Sequence, residues 1–144
     1  MHQMDQLGAL MAQISRQYDR WAKQHGINYN ILAVFYTLAV QGPCTQKQIG
    51  ESWQLPKQTV FSVCRQLHAQ GYLSFGLSSR DKREKTLHFT AHGAAFALPI
   101  VEQMQAMERQ LFENFGEQAG TRLIEEMHRF TDVLAQTMFA DHHQ

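Results

Sequence analysis

The chain has 144 residues, of which 44% are apolar and 18% charged, and its formal net charge is zero. This composition is ordinary for a folded domain and excludes both a disordered chain and a small scaffold held by disulfides, since Cys44 and Cys64 are its two cysteines. No apolar run reaches the roughly 18 residues of a membrane span, and the first residues lack the pattern of a secretion signal. We therefore expect one cytoplasmic domain over residues 1–144, with no association with a membrane.

The first part of the chain has the apolar spacing of two helices. Apolar residues recur at steps of three and four from Met4 to Trp21, which predicts an amphipathic helix over residues 2–24. A second helix is predicted to begin after Asn28, a residue suited to an N-cap, and to end before Gly42.

The next segment predicts two helices joined by a short turn. Thr45 and Gln48 have the spacing of a capping box, so a short third helix is expected to begin there. Leu55 and Pro56 separate it from a fourth helix, which Gly71 is expected to end. The side of the fourth helix that we expect to face the core carries Val60, Val63, Cys64 and Leu67.

After the fourth helix the pattern changes to that of a β-hairpin. Strand-forming residues at 72–75 and 86–90 flank a polar segment that is too long and too charged for a tight turn, so a projecting loop is expected. Two more helices are predicted beyond Gly93, and Pro99 near the start of the first conflicts locally with a helix.

Charge is segregated along the chain. Residues 45–93 contain seven basic and three acidic side chains, whereas residues 94–144 contain three basic and eight acidic ones. A basic middle beside an acidic end predicts one face directed at phosphate groups, with the rest kept away from them.

The order of helix, turn, helix and basic hairpin is that of a winged helix-turn-helix, whose second helix enters the major groove of DNA. An arginine on a thin projecting loop can enter a narrow minor groove, where the potential is most negative. The predicted DNA-binding residues are the polar and basic ones on the outer side of the fourth helix and in the hairpin: Lys57, Gln58, Thr59, Ser62, Arg65, Arg80, Lys82, Arg83 and Lys85.

Two segments resemble the MarR (multiple antibiotic resistance regulator) family of transcription regulators. The segment SSRDKREKTLHFTAHG resembles the wing, with a D-x-R tip at Asp81 and Arg83 and with Thr90 and Gly93 after the second strand. The segment TQKQIGESWQLPKQTVFSVCRQLHAQGYL resembles the helix-turn-helix, and the flanking helices follow the layout of the family, so the likeness covers nearly the whole chain.

The resemblance implies a mainly α (α+β) fold with a β-hairpin wing. Residues 28–93 would form the DNA-binding module, and residues 1–27 and 94–144 would form the dimerisation helices. It further implies a minor-groove contact for Arg83 and a wing-stabilising pairing for Asp81.

The resemblance also implies a homodimer and a regulatory function. The chain is expected to bind double-stranded DNA at a pseudo-palindromic operator, as a repressor that a small aromatic or lipophilic effector releases. The apolar residues expected at the dimer interface are Met4, Leu7, Met11, Ile14, Leu123, Met127, Phe130 and Leu134. The residues expected to line an effector pocket are Trp21, Tyr29, Phe35, Tyr36 and Met107.

Two other functions remain open at this point. The chain could be a thiol redox sensor that uses Cys64, in the core, or Cys44, in a more exposed turn. It could instead be an adaptor for partner proteins, with Phe61 as an apolar anchor, because Phe61 lies where the family has a small polar residue. Phe75 is a second departure, since the first wing strand commonly has arginine there.

No enzyme, cofactor or metal site is expected. The sequence has no recognisable grouping of nucleophile and base and no glycine-rich phosphate loop, and its eight histidines form no HxxxH or HExxH pattern on a helix.

Overall fold

A computed structural model describes residues 2–77 and 85–140. Its elements, in chain order, are α1 (Gln3–Gln24), α2 (Tyr29–Gln41), β1 (Cys44–Thr45), α3 (Gln46–Trp53), α4 (Lys57–Ala69), β2 (Leu73–Leu77), β3 (Lys85–Phe89), α5 (Ala91–Phe115) and α6 (Glu117–Met138). The strands form one antiparallel sheet in the order β1-β3-β2. The predicted mainly α architecture with a β-hairpin wing is confirmed.

The chain divides into two compact units, Met1–Glu102 and Gln103–Gln144. The boundaries predicted for the DNA-binding module and the dimerisation helices stay predictions. Among the described helices, none is long and apolar enough to cross a membrane.

The predicted helix boundaries rest on capping groups that the structure contains. The Asn28 side chain accepts a hydrogen bond from the backbone N–H of Ile31 at 2.9 Å. Thr45 and Gln48 form a reciprocal capping box at the start of α3. After α4, Gly71 has a φ of 82°, a left-handed conformation that costs glycine little. These local signals explain why the starts of α2 and α3 and the end of α4 were predictable from the sequence.

Strand β1 was not predicted, and it corrects the expected position of Cys44. Cys44 pairs with Leu87 of β3, and its side chain is 3% exposed, so it lies in the core and not in an exposed turn. A strand of two residues has no period of its own, and its pairing partner lies far along the chain. Only the tertiary fold reveals it.

The core of the first unit is centred on α2. Phe35 is fully buried, and its ring packs edge-on against those of Phe89 and Phe96 at centroid distances of 5.8 and 5.9 Å. It also contacts the ring of Tyr72. The sheet, α2 and the first part of α5 are thereby joined by one aromatic cluster. The buried residues of α2 are Ile31, Leu32, Ala33, Val34, Phe35, Thr37 and Leu38.

A buried hydroxyl fixes α3 against α2. Thr37 donates a hydrogen bond from Oγ1 to the carbonyl oxygen of Ala33 at 2.7 Å. The same oxygen accepts a hydrogen bond from the indole N–H of Trp53, at the end of α3, at 2.8 Å. Because both groups are satisfied, the threonine is compatible with the core. The first helix of the helix-turn-helix is therefore held at a defined position.

Helix α5 begins at Ala91, earlier than the sequence predicted. Thr90 donates its hydroxyl to the carbonyl oxygen of Gly71 at 2.6 Å and accepts from the backbone N–H of Gly93 at 2.9 Å. A Cβ at Gly93 would overlap the carbonyl oxygen of Tyr72, so this close approach requires glycine. Gly93 thus belongs to the first turn of α5 and does not end the hairpin. Pro99 lies inside this helix.

Candidate nucleic-acid interface

Helix α4 has a buried side and an exposed side, as its apolar period predicted. Val60, Val63, Cys64 and Leu67 are all buried. Four of the five DNA-binding residues predicted on this helix are exposed, namely Lys57, Gln58, Ser62 and Arg65. The fifth, Thr59, is half-buried. One continuous outer face therefore presents hydrogen-bond donors to solvent.

The turn before α4 is tight and has a fixed geometry. Gln54 adopts a left-handed backbone conformation with φ 54°, and the backbone N–H of Leu55 donates to the carbonyl oxygen of Gly50 at 3.0 Å. A Cβ at Gly50 would lie 3.3 Å from the carbonyl oxygen of Leu55, which leaves little room for a larger residue. Pro56 then leads into α4, whose first free N–H groups point out of its N-terminus. This turn sets the direction of α4 relative to α3.

The outer face of α4 is cationic. The helix contains Lys57 and Arg65 and no Asp or Glu. In the described part of the chain, neither cation forms an ion pair. The positive charge of this face is thus available to an anionic partner.

The base of the hairpin is joined to α4 through an aromatic contact that the sequence analysis missed. The Phe75 ring of β2 lies 4.9 Å from the ring of His68, which is on α4. The ammonium group of Lys85 on β3 lies 5.9 Å from the centroid of the same Phe75 ring, within the range of a cation–π interaction. Phe75 therefore links the hairpin to α4 and positions the predicted DNA-binding residue Lys85. Periodicity gives no signal for a contact between separate elements, although the unusual Phe75 was a hint.

The tip of the hairpin lies outside the described residues. This applies to four predicted residues, namely Arg80, Asp81, Lys82 and Arg83.

The predicted dimerisation residues are largely exposed in the single chain. On α1, Met4, Met11 and Ile14 are exposed and Leu7 is half-buried; on α6, Leu123 and Phe130 are exposed and Met127 and Leu134 are half-buried. Further exposed apolar residues on the same two helices were not predicted: Leu10, Ile124, Val133 and Met138.

Four of the five predicted pocket residues take part in different aromatic contacts of the first unit. Tyr29 and Tyr36 both pack edge-on against Trp53, at centroid distances of 5.6 and 5.8 Å. Phe35 belongs to the separate core cluster, and the Trp21 ring packs on His25. Met107 lies in the second compact unit. Trp53, which contacts both tyrosines, was not among the predicted pocket residues.

Two concavities among the described residues have other linings. One, of about 760 Å³, lies beside the helix-turn-helix, between α3 and the start of α4, and the other, of about 550 Å³, lies at the junction of α5 and α6. The effector pocket stays a prediction.

Both thiols are buried. Burial raises the pKa of the Cys44 thiol, and it raises the pKa of Cys64 to about 12, with the neighbouring Cys44 adding to the second shift. Both thiols are therefore protonated at neutral pH, which makes them poor nucleophiles. Across residues 2–77 and 85–140, no cluster of His, Cys, Asp and Glu is placed to hold a metal ion.

Comparison with known proteins agrees with this geometry. A family model described as MarR family matches residues 25–84. A MarR family regulator from Neisseria meningitidis has 40% sequence identity and a TM-score of 0.83, with 98% of this chain and 99% of that chain covered. The chain belongs to the MarR family.

The segment matched by the MarR model contains the complete helix-turn-helix of α3 and α4, together with α2 and β2. Members of this family are transcription regulators and not enzymes. No curated protein matches the chain significantly.

More distant MarR structures share the fold. A MarR/EmrR family regulator from Acinetobacter sp. ADP1 has 19% identity and a TM-score of 0.76, with 92% of this chain and 94% of that chain covered. The MepR protein of S. aureus, solved in a complex with DNA, has 17% identity and a TM-score of 0.73, with 93% and 98% covered.

Proposed function

We propose that the chain is a cytoplasmic transcription regulator that binds duplex DNA as a homodimer. The observation that carries this proposal is the outer face of α4, which is exposed, rich in hydrogen-bond donors and free of carboxylates. Such a face is complementary to the major groove, where phosphates provide affinity and base edges provide specificity. The S. aureus relative that was solved with DNA supports the same interpretation.

The residues of the interface have different roles in this proposal. Lys57, beside the N-terminus of α4, neutralises a phosphate, while Gln58, Ser62 and Arg65 face base edges. Thr59 is half-buried, and we assign it a contact with the sugar-phosphate backbone of the DNA. In the wing, Lys85 and the predicted tip residues Arg80, Lys82 and Arg83 approach the adjacent minor groove, and Asp81 stabilises the tip.

The homodimer is supported by the exposed apolar rows on α1 and α6. A soluble protein rarely leaves several large apolar side chains exposed along one helix unless a partner covers them. We propose that residues 1–27 and 94–144 form this interface and that residues 28–93 form the DNA-binding module. The two-fold axis then matches a pseudo-palindromic operator.

We propose that the dimer represses transcription and that a small aromatic or lipophilic effector releases it from DNA. An effector that favours a different spacing of the two α4 helices would weaken DNA binding by its preference for one of two states. The aromatic side chains at Tyr29, Tyr36 and Trp53 provide apolar contacts of suitable chemistry.

The proposed function is tested by selection of bound fragments from random duplex DNA, followed by titrations at several salt concentrations. Lys57→Ala should weaken binding to all sequences and reduce the slope of log affinity against log salt by about one unit, as expected when one phosphate is no longer neutralised. Arg122→Ala, an exposed cation on α6, removes the same charge and should leave both quantities unchanged. If the wild-type protein enriches no sequence, or if both variants behave alike, α4 is not the DNA-binding element.

The geometry of the thiols argues against the redox alternative. A sensor thiol needs access to peroxide and a substantial thiolate fraction, and Cys44 and Cys64 have neither. We therefore expect DNA affinity to be unchanged after treatment with hydrogen peroxide. A decrease that dithiothreitol reverses would favour the redox sensor.

A further inference from the structure

Phe61 is an exposed aromatic side chain in the middle of the outer face of α4. Its exposure is 48%, although phenylalanine is usually buried. It is the one large apolar residue of α4 that is exposed, and every residue of this helix is described. The fold does not use this ring for its core, so its role lies outside the single chain.

The neighbours of Phe61 on the helix surface are polar or cationic. Lys57 and Gln58 lie one turn before it, Arg65 lies one turn after it, and Ser62 follows it directly. All four are exposed. The ring therefore lies alone among donors and positive charges.

This surrounding favours DNA over a protein partner. The core of a protein interface is a contiguous apolar patch from which charged residues are depleted. The exposed ring of Phe75 on the hairpin already contacts His68 and Lys85. A single apolar group within a cationic face matches a partner that is anionic overall and has isolated apolar groups.

The major groove has one such group. Among the base edges exposed there, only thymine presents a methyl group, and phenylalanine is among the side chains that contact it. We propose that Phe61 determines specificity by packing against the 5-methyl group of a thymine in each half-site. This inference rests on the proposed function, because it requires α4 to enter the major groove.

The spacing of the helix locates this thymine relative to the other contacts. One helical turn rises about 5.4 Å, and base pairs are about 3.4 Å apart, so residues one turn apart reach base pairs one or two steps apart. The thymine should therefore lie within about two base pairs of the position that Arg65 reads.

The experiment removes the methyl group without altering any hydrogen bond. The duplex that the wild-type protein selects from random DNA is prepared with deoxyuridine in place of each thymine in turn, in both half-sites. For wild-type protein, replacement at one symmetric position should weaken binding about tenfold, since each buried methyl group contributes a factor of about three to four. The Phe61→Ala variant should bind the selected duplex and the duplex with deoxyuridine at this position equally well.

Two variants make the comparison specific. Phe61→Leu keeps an apolar side chain and should retain part of the preference for thymine. Arg65→Ala should weaken binding to both duplexes while leaving their ratio close to that of the wild-type protein. Because Phe61 and Arg65 are exposed, neither change should disturb the fold, which circular dichroism and thermal unfolding will verify.

The outcomes separate this inference from the proposed function. If the wild-type protein binds its selected duplex but no deoxyuridine weakens binding, or if Phe61→Ala keeps the same preference, the inference is overturned and DNA binding stands. Unchanged DNA affinity of Phe61→Ala for every duplex would overturn it as well and would leave a protein contact as the role of the ring. If the wild-type protein selects no DNA, the proposed function itself fails.

Discussion

Helices α2 and α6 both have apolar faces, but only the face of α2 is covered within the single chain. Seven residues of α2 are buried, among them Phe35 at the centre of the aromatic cluster. On α6 the only buried residue is Gly120, which packs against Phe112, while Leu123, Ile124 and Phe130 are exposed. Apolar spacing therefore predicts which side of a helix is covered, but not whether the same chain covers it. Under the proposed function, a second chain covers α6.

The largest expected effect is that of truncating the centre of the α2 core. Phe35→Ala should lower the free energy of unfolding by about 3 to 5 kcal/mol, because it removes a fully buried ring and leaves a cavity. Chemical denaturation at two protein concentrations measures this. A decrease below about 1 kcal/mol would show that α2 is not the core element that its burial indicates.

On α6, a charge in the exposed apolar row should act on assembly and not on folding. Phe130→Glu should raise the dimer dissociation constant at least about 30-fold, as expected for a central interface residue, and should leave helicity unchanged. Sedimentation equilibrium measures the constant. Gln136→Glu introduces the same charge at an exposed polar position of α6 and is the matched control. Equal association of the two variants would contradict a dimer through this row.

A smaller effect is expected at the buried hydroxyl of α2. Thr37→Val keeps the shape of the side chain but leaves the indole N–H of Trp53 without its acceptor, which should cost about 1 to 3 kcal/mol of stability. Thr37→Ser retains the hydroxyl and should preserve the hydrogen bond. Tryptophan fluorescence during urea unfolding compares the two. If valine is tolerated as well as serine, the hydrogen bond does not fix α3.

The smallest effect concerns pH at the contact between Asp19 of α1 and the start of α2. A hydrogen bond from Lys23, together with one from the backbone N–H of Tyr29, holds the pKa of Asp19 below its ordinary value of 3.8. The contribution of the Asp19 carboxylate to the free energy of unfolding is therefore present above pH 3.8 and is lost as the pH falls through the lowered pKa. Asp19→Asn should flatten the acid limb of the stability curve measured by urea unfolding. Asp5→Asn on α1 is the control, and identical curves for the two variants would argue against the Asp19 contacts.

Local signals made much of the fold predictable from sequence. Capping residues such as Asn28 and Thr45 act within a few residues of their partners, so they mark where helices begin. The buried row of α4 repeats every three to four residues and was equally predictable. Strand β1 and the burial of Cys44 were not predicted, because they depend on pairing with the distant Leu87.

The polar residues of the candidate site were predictable from the sequence, but the contacts between elements that position them were not. Exposure of Lys57 and Arg65 follows from the helical period alone. The contacts of Phe75 with His68 and of Trp53 with Thr37 join separate elements, and no local pattern indicates them. The exposed ring of Phe61 appeared as a departure from the family, and its polar surroundings became meaningful only on the folded helix.

The junction between β3 and α5 is one residue long, and this length has a mechanical consequence. Thr90 alone separates the two elements. Its hydroxyl donates a hydrogen bond to the carbonyl oxygen of Gly71, two residues after α4, and Gly93 packs directly against the backbone of Tyr72. The base of the hairpin, the turn after α4 and the first turn of α5 are thus joined without a flexible linker, and we expect them to shift together as a rigid unit. An additional residue inserted next to Thr90 should uncouple the tilt of α5 from that of the hairpin while each of them stays folded.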